Sequence, residues 1–88
     1  MYYVYVLAED RKNWIYIGLT ADLKKRMVYH NAGKCASTRN HLPLRLVYYE
    51  SYASYTDASL REQGLKHHGN AVKMLKQRLN RSLKNGAG

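Results

Sequence analysis

Two short apolar alternations open the chain, and a helical spacing follows at once. Residues 2 to 8, Y-Y-V-Y-V-L-A, are almost wholly aromatic or β-branched, which predicts a strand with Val4 and Val6 on one face and Tyr3, Tyr5 and Leu7 on the other. After the polar run E-D-R-K-N at 9 to 13, the segment W-I-Y-I-G predicts a second strand ending at Gly18, with Ile15 and Ile17 inward and Tyr16 on the opposite face. Pairing Ala8 with Asn13 across the turn would set Tyr5 directly opposite Tyr16, with Cβ atoms about 5 Å apart. From Gly18 onward the apolar positions Leu19, Leu23 and Met27 recur at helical spacing, so a helix is expected from about Ala21 to His30, with Thr20 as its N-cap and Asp22 in its first turn. Gly33 is a suitable left-handed residue for its exit.

Residues 33 to 43, G-K-C-A-S-T-R-N-H-L-P, have no period and read as a loop carrying Lys34, Arg39 and His41. A third strand is expected over Leu44 to Glu50, where alternation fails after the first residues and Leu46 and Tyr48 point to burial on both faces. Thr56 can cap a helix that places Ala58, Arg61 and Leu65 on one side, and Gly69 with Asn70 separates it from a last helix striped by Val72, Leu75, Leu79 and Leu83. The order is ββαβαα, an α/β (α+β) fold with a small three-stranded, mostly antiparallel sheet flanked by helices. Residues 1 to 84 are expected to form a single domain, with a frayed tail at 85 to 88.

Charge adds a partner class. The 88 residues hold 15 lysines and arginines against 6 acidic residues, a formal charge of +9. Residues 61 to 88 contribute seven basic and one acidic residue, and residues 1 to 60 contribute eight and five, so net charge is +6 in the shorter C-terminal part and +3 before it. Such a surface suits phosphate backbone, and either DNA or RNA satisfies it. Cys35 is the sole cysteine, which excludes an internal disulfide and a cysteine-rich zinc site. Without a long apolar run or a secretory signal after Met1, a cytoplasmic protein with no membrane partner is expected.

The predicted elements bring Tyr5, Tyr16, Arg26 and His30 towards one strand-to-helix corner, since Arg26 and His30 lie one helical turn apart. Arg26 suits a phosphate, and it also stands four residues from Asp22, with which it can pair. Glu62 offers a carboxylate, but Lys66 at i+4 is an ordinary partner for it. With nine tyrosines and no phenylalanine, several tyrosines must fill the core. A phenol of pKa about 10 becomes a useful base only beside positive charge.

These residues carry a family resemblance. Tyr3-Val4-Tyr5, Tyr16-Ile17-Gly18, the segment from Asp22 through Arg26 to His30, and Arg61-Glu62 followed by Lys66 resemble, in order, the motifs of the GIY-YIG nuclease superfamily. The likeness is to its small stand-alone bacterial branch, related to the N-terminal nuclease domain of the UvrC repair protein, and covers about three quarters of the chain. Tyr3-Val4 stands where the first motif has Gly-Ile, and His67-His68-Gly69 is unusual after Lys66.

The resemblance implies a divalent-metal-dependent DNA endonuclease, structure-selective or weakly sequence-specific, in DNA repair or related work. Its catalytic set would be Tyr5, Tyr16, Arg26, His30 and Glu62, with Glu62 holding Mg²⁺ or Mn²⁺ and Tyr5 slightly preferred over Tyr16 as the base. Lys25, Lys34, Arg39, Arg45, Lys66, Lys73 and Lys76 would grip nucleic acid. Self-association or a protein partner would supply specificity. The alternatives are a noncatalytic nucleic-acid-binding domain on the same fold and an adaptor that binds protein through its tyrosines.

Overall fold

The computed structural model describes residues 1–9 and 13–84. The frayed tail expected at 85 to 88, and residues 10 to 12 of the expected turn, lie outside the described residues. Strands β1 (Tyr2–Glu9), β2 (Ile15–Thr20) and β3 (Leu44–Tyr52) form an antiparallel sheet in the order β2-β1-β3. Helix α1 (Leu23–Asn31) follows β2, and a short 3-10 turn at Arg39–His41 interrupts the loop expected to be irregular. Helices α2 (Tyr55–His67), α3 (Gly69–Arg78) and α4 (Asn80–Lys84) complete the chain, so the single last helix expected is broken at Leu79.

Because β1 is central, the two sides of its alternation enter two different cores. Val4 and Val6 pack with Ile17 of β2, Ala58 and Leu65 of α2, and Leu75 and Leu79. Tyr5 and Leu7, on the other face, pack with Leu44 and are covered by Trp14, Tyr16, Leu23 and Met27. The last-helix stripe behaves as its spacing predicts, with Val72 and Leu83 flanking Leu75 and Leu79 in the first core.

The β1–β2 register differs from the expected one by two residues: Tyr5 lies opposite Gly18, and Tyr16 lies opposite Leu7. A shift of two preserves the faces, so Tyr5 and Tyr16 remain on the same side as diagonal neighbours. The strand does not end at Gly18 but runs on to Thr20, because Leu19 still has the first core to pack against. The helix cap moves accordingly. Asp22, not Thr20, is the N-cap of α1, its carboxylate accepting from Lys25 N at 3.0 Å, while Thr20 Oγ1 accepts from Asp22 N at 3.1 Å. Ser54 likewise replaces Thr56 as the cap of α2, and α3 begins at Gly69, with His68 between the helices.

Gly33 takes the left-handed backbone expected at the exit of α1, with φ of +74°. The broken alternation in β3 has a physical origin: the pairing with β1 slips between Val6 and Leu7, and both Val47 and Tyr48 pack towards the first core. Leu46, expected inside, is instead 37% exposed, because β3 is an edge strand.

Candidate active site

Tyr5 occupies the centre of the site. Its ring lies over Gly18 on the neighbouring strand, and a Cβ at Gly18 would fall 2.4 Å from the phenol carbon and hydroxyl. The second motif therefore ends in glycine to make room for the tyrosine of the first. Tyr5 is fully buried, and its hydroxyl meets His30 Nε2 at 2.8 Å and accepts from Arg26 Nε at 3.3 Å. Positions 26 and 30 can both reach it because they lie on one face of α1, one turn apart. His30 is also fully buried, and its Nδ1 lies 2.9 Å from Oγ1 of the equally buried Thr38.

Tyr16 is the more accessible phenol, half-buried, with its ring 6.4 Å from that of Tyr5 and edge-on to His30 at 5.3 Å. Trp14 stacks beside it and is covered by His41 at 3.6 Å, which is held in turn by Glu9 Oε2 at 2.7 Å. The 33–43 loop is thereby clasped to the hairpin, and Thr38 and Cys35 are carried to the tyrosines.

Helix α2 packs on the opposite face, but β2 is an edge strand, so side chains from α2 can approach Tyr16 around that edge. Lys66 Nζ stands 5.7 Å from the centre of the Tyr16 ring and pairs with Glu62 at 3.3 Å, and the Glu62 charge is felt by the Tyr16 phenol. The i+4 pairing expected of an ordinary surface carboxylate is thus present, but the Glu62 side chain is only 18% exposed and borders the tyrosine cluster.

Burial dominates the electrostatics. It pushes the Tyr5 phenol up to about 12 despite the opposing Arg26 hydrogen bond and charge. Tyr16 is also raised, first by burial, then by Cys35 and Glu62, against the pull of Arg26. Arg26 pulls both phenols down, and in the free protein desolvation outweighs that single partly exposed cation. His30 is lowered by burial and by Arg26, so at neutral pH it is an uncharged acceptor or donor. Burial pushes Cys35 up, yet the Thr38 side chain, the Ser37 and Thr38 backbone and Arg26 together bring the thiol below its ordinary value.

Arg26 is the group most open to a ligand. Its Nε is held by Tyr5 and its guanidinium lies 4.6 Å over the Tyr29 ring, but its terminal nitrogens make no hydrogen bond among the described residues. It borders a groove of about 340 Å³ lined also by Thr20, Asp22, Lys25 and Tyr29. Lys25, Lys34 and Arg39 are exposed around this face. Lys73 and Lys76 sit on α3, which packs with the first core, and line a separate groove with Val72 and Gln77. Arg45 is a departure: its guanidinium donates to Ser82 O at 2.7 Å and Leu83 O at 3.3 Å, tying β3 to α4.

As a metal site, Glu62 offers one carboxylate, and no group of three or more His, Cys, Asp or Glu converges among the described residues. That donor set fits a magnesium-like ion that keeps several waters and takes substrate oxygens, and does not fit a caged zinc or calcium.

A sequence model of the GIY-YIG catalytic domain matches residues 1–80. The chain belongs to the GIY-YIG family. GIY-YIG domains are typically endonucleases that use a divalent metal and act on DNA. The chain is 45% identical over 65 residues to a UPF0213 protein of Streptococcus pneumoniae serotype 4, a span of 73% of this chain and 65% of that protein. It is 53% identical over 53 residues to a UPF0213 protein of Streptococcus pyogenes serotype M5, covering 59% and 56% of the two. The match therefore spans less than two thirds of these relatives. The solution NMR structure of the UPF0213 protein from Bacillus halodurans superposes with a TM-score of 0.52 at 30% identity, covering 86% of this chain and 83% of that one.

The strand and helix spacing brings Tyr5, Tyr16, Arg26 and His30 together as expected, while nothing in the sequence marks Thr38, Cys35 and Trp14 as their neighbours. Thr38 and Cys35 lie in a segment without period, where no spacing marks which side chains turn inward. Among the described residues, no helix is long and apolar enough to cross a membrane.

Proposed function

We propose that this GIY-YIG domain is a divalent-metal-dependent DNA endonuclease, structure-selective or weakly sequence-specific. The observation that carries the reading is the Arg26 guanidinium: held at Nε by a buried phenol, it leaves both terminal nitrogens for a phosphate. A fixed fork of this kind stabilises charge developing on phosphoryl oxygens.

Tyr16 is the better candidate to contact the attacking water, since Tyr5 is fully buried and already bonded to His30 and Arg26. This reverses the slight sequence preference for Tyr5 and gives Tyr5 the task of orienting Arg26. As a base, Tyr16 must lose its proton, and its raised pKa opposes that in the free protein. Arg26 is the cation that pulls the phenol down, and Lys66 stands 5.7 Å from the ring centre. Glu62 would hold Mg²⁺ or Mn²⁺, whose charge would stabilise the phosphate and the departing oxygen.

Lys25, Lys34 and Arg39 would steady the backbone near the site, and Lys73 and Lys76 would extend the grip. Nothing in the sequence resembles a separate base-reading domain, so DNA shape, self-association or a protein partner would set specificity.

The test is cleavage of duplex, nicked, flapped and branched DNA with Mg²⁺ or Mn²⁺ and with chelator, comparing the natural chain with E62A. Metal-dependent products that vanish in E62A while folding and DNA binding persist support the reading. Retained binding with no products from either protein points to a noncatalytic nucleic-acid-binding domain, and an RNA panel then decides which polymer it holds.

A further inference from the structure

The hydrogen bonds around His30 run in one direction only. Tyr5 has a single hydroxyl proton, and its two polar neighbours are Arg26 Nε, which can only donate, and His30 Nε2. The buried Tyr5 proton therefore goes to His30 Nε2 at 2.8 Å, which leaves the imidazole proton on Nδ1. Nδ1–H then donates to Thr38 Oγ1 at 2.9 Å. Had Nδ1 been the acceptor, Nε2 would carry the ring proton and the Tyr5 hydroxyl proton would have no acceptor among the described residues.

No buried side-chain nitrogen or oxygen among the described residues lacks a partner, as this chain of donors requires. Thr38 is fully buried at the N-cap of the Arg39–His41 turn, and its side chain is the only partner of His30 Nδ1 among the described residues.

We propose that Thr38 is a positioning residue: it locks His30 in the Nδ1–H form, so that Tyr5 must present its oxygen lone pairs to Arg26 and fix the guanidinium for the phosphate. The purpose assigned to the fixed guanidinium rests on the nuclease reading, whereas the tautomer does not. Thr38 touches neither substrate nor metal in this scheme and acts through His30 and Tyr5. Second-neighbour partners that set a histidine's tautomer play the same part in metal sites.

The experiment is long-range ¹H–¹⁵N NMR on the full chain with ¹⁵N-labelled histidine at neutral pH, for the natural protein, T38V and T38S, with the His30 signals assigned by their loss in H30Q. Cleavage of the same DNA panel with Mg²⁺ is measured alongside. The expected result is a His30 protonated at Nδ1 in the natural chain and in T38S, and a shift towards Nε2–H or exchange between forms in T38V. Cleavage should fall about 100-fold in kcat with little change in KM for T38V, the size of effect that a small misplacement of a reacting group produces. T38S should recover most of it.

An Nε2–H signal in the natural chain overturns the proposal, and so does a T38V protein that keeps both the Nδ1–H form and its cleavage rate. If T38V does not fold, the natural chain and T38S decide through the same signal. If the natural protein cleaves nothing, the nuclease reading fails, while the spectra still settle the role of Thr38.

Discussion

The sheet carries two polar clusters of similar composition and opposite character, one on each face. On the side of α2, Glu50 accepts from the Tyr48 and Tyr52 hydroxyls and from Arg61, whose Nε and Nη2 lie 2.9 Å from its oxygens. Burial alone would raise this carboxyl, but Arg61 and the two phenols hold it down at about 2, and Tyr52 rises to about 12, first through burial and then through its bond to Glu50. On the other side, Tyr5, Tyr16 and Arg26, with Glu62 reaching them from α2 around the β2 edge, provide the same residue types without closing on one another. Here the arginine meets a phenol and not the carboxylate, and Glu62 has only Lys66 beside it. The first cluster satisfies its members internally and fastens α2 to β3. The second leaves a cation and a carboxylate for something that arrives from outside. Arg61 and Glu62 are neighbours in sequence, yet one belongs to each cluster. The closed cluster therefore anchors the helix turn that presents the open one.

The contrast is broken most directly at Arg26. R26A should lower cleavage by about 100- to 1,000-fold, as loss of one donor to a developing oxyanion does, while leaving the thermal midpoint nearly unchanged. A large fall in stability with little loss of cleavage would make Arg26 the counterpart of Arg61, a structural arginine. Next in size is G18A. Its added Cβ would lie 2.4 Å from the Tyr5 ring, which is buried and cannot swing aside. Overpacking of this kind costs about 1–3 kcal/mol, and displacement of Tyr5 should lower cleavage as well. A G18A protein with unchanged stability and activity would show that the Tyr5 ring is not confined by β2.

At the closed cluster, E50A should destabilise by about 2 kcal/mol, since it leaves Arg61 and two phenols without their acceptor, though Arg61 can regain water. Calorimetry should read this as a fall of about 10 °C for a domain of this size. Cleavage by the folded fraction should drop far less than in R26A. The same carboxylate gives a pH signature. Its folded pKa, about 2, lies below the ordinary 4.5, so its contribution is complete above pH 4.5 and is lost as pH falls towards 2. Unfolding free energy should therefore decline over that window in the natural chain, and E50Q should flatten the decline. An equal slope in both proteins would mean that Glu50 is not held by its three donors.

Sequence pattern revealed much of this contrast, and its failures have identifiable causes. Alternation in β1 separates Val4 and Val6 from Tyr5 and Leu7, which correctly assigns the two faces. Helical spacing brings Arg26 and His30 to one point, and the structure gives that point a single phenol. Register was misplaced because a period of two cannot distinguish a shift of two residues. Both Thr20 and Asp22 are residue types that cap helices, and the choice between them depends on where β2 releases the chain. Thr38 and the Trp14–His41 stack were missed for another reason: they join segments far apart in sequence, and the loop has no period to mark an inward side chain. Glu50 and its three donors fall in the same class, since Arg61 reaches it from α2 and Tyr52 lies beyond the expected end of β3.

Arg45 tests the comparison at its smallest scale, because it is a basic residue assigned to nucleic acid from charge alone and found bonded within the fold. Its two terminal nitrogens reach the Ser82 and Leu83 carbonyls near the end of α4, groups that a helix leaves without internal partners. R45A should cost about 1 kcal/mol of stability and leave the salt dependence of DNA binding unchanged. K73A or K76A should do the reverse: stability should hold, and the slope of log K against log salt should fall by about one for each phosphate contact removed. If R45A lowers that slope by the same amount and stability is untouched, the link to α4 gives way when DNA binds. Arg45 would then join the cations of the open cluster, and the boundary between the two kinds of basic residue would have to be drawn by what the complex contains, not by the hydrogen bonds of the free protein.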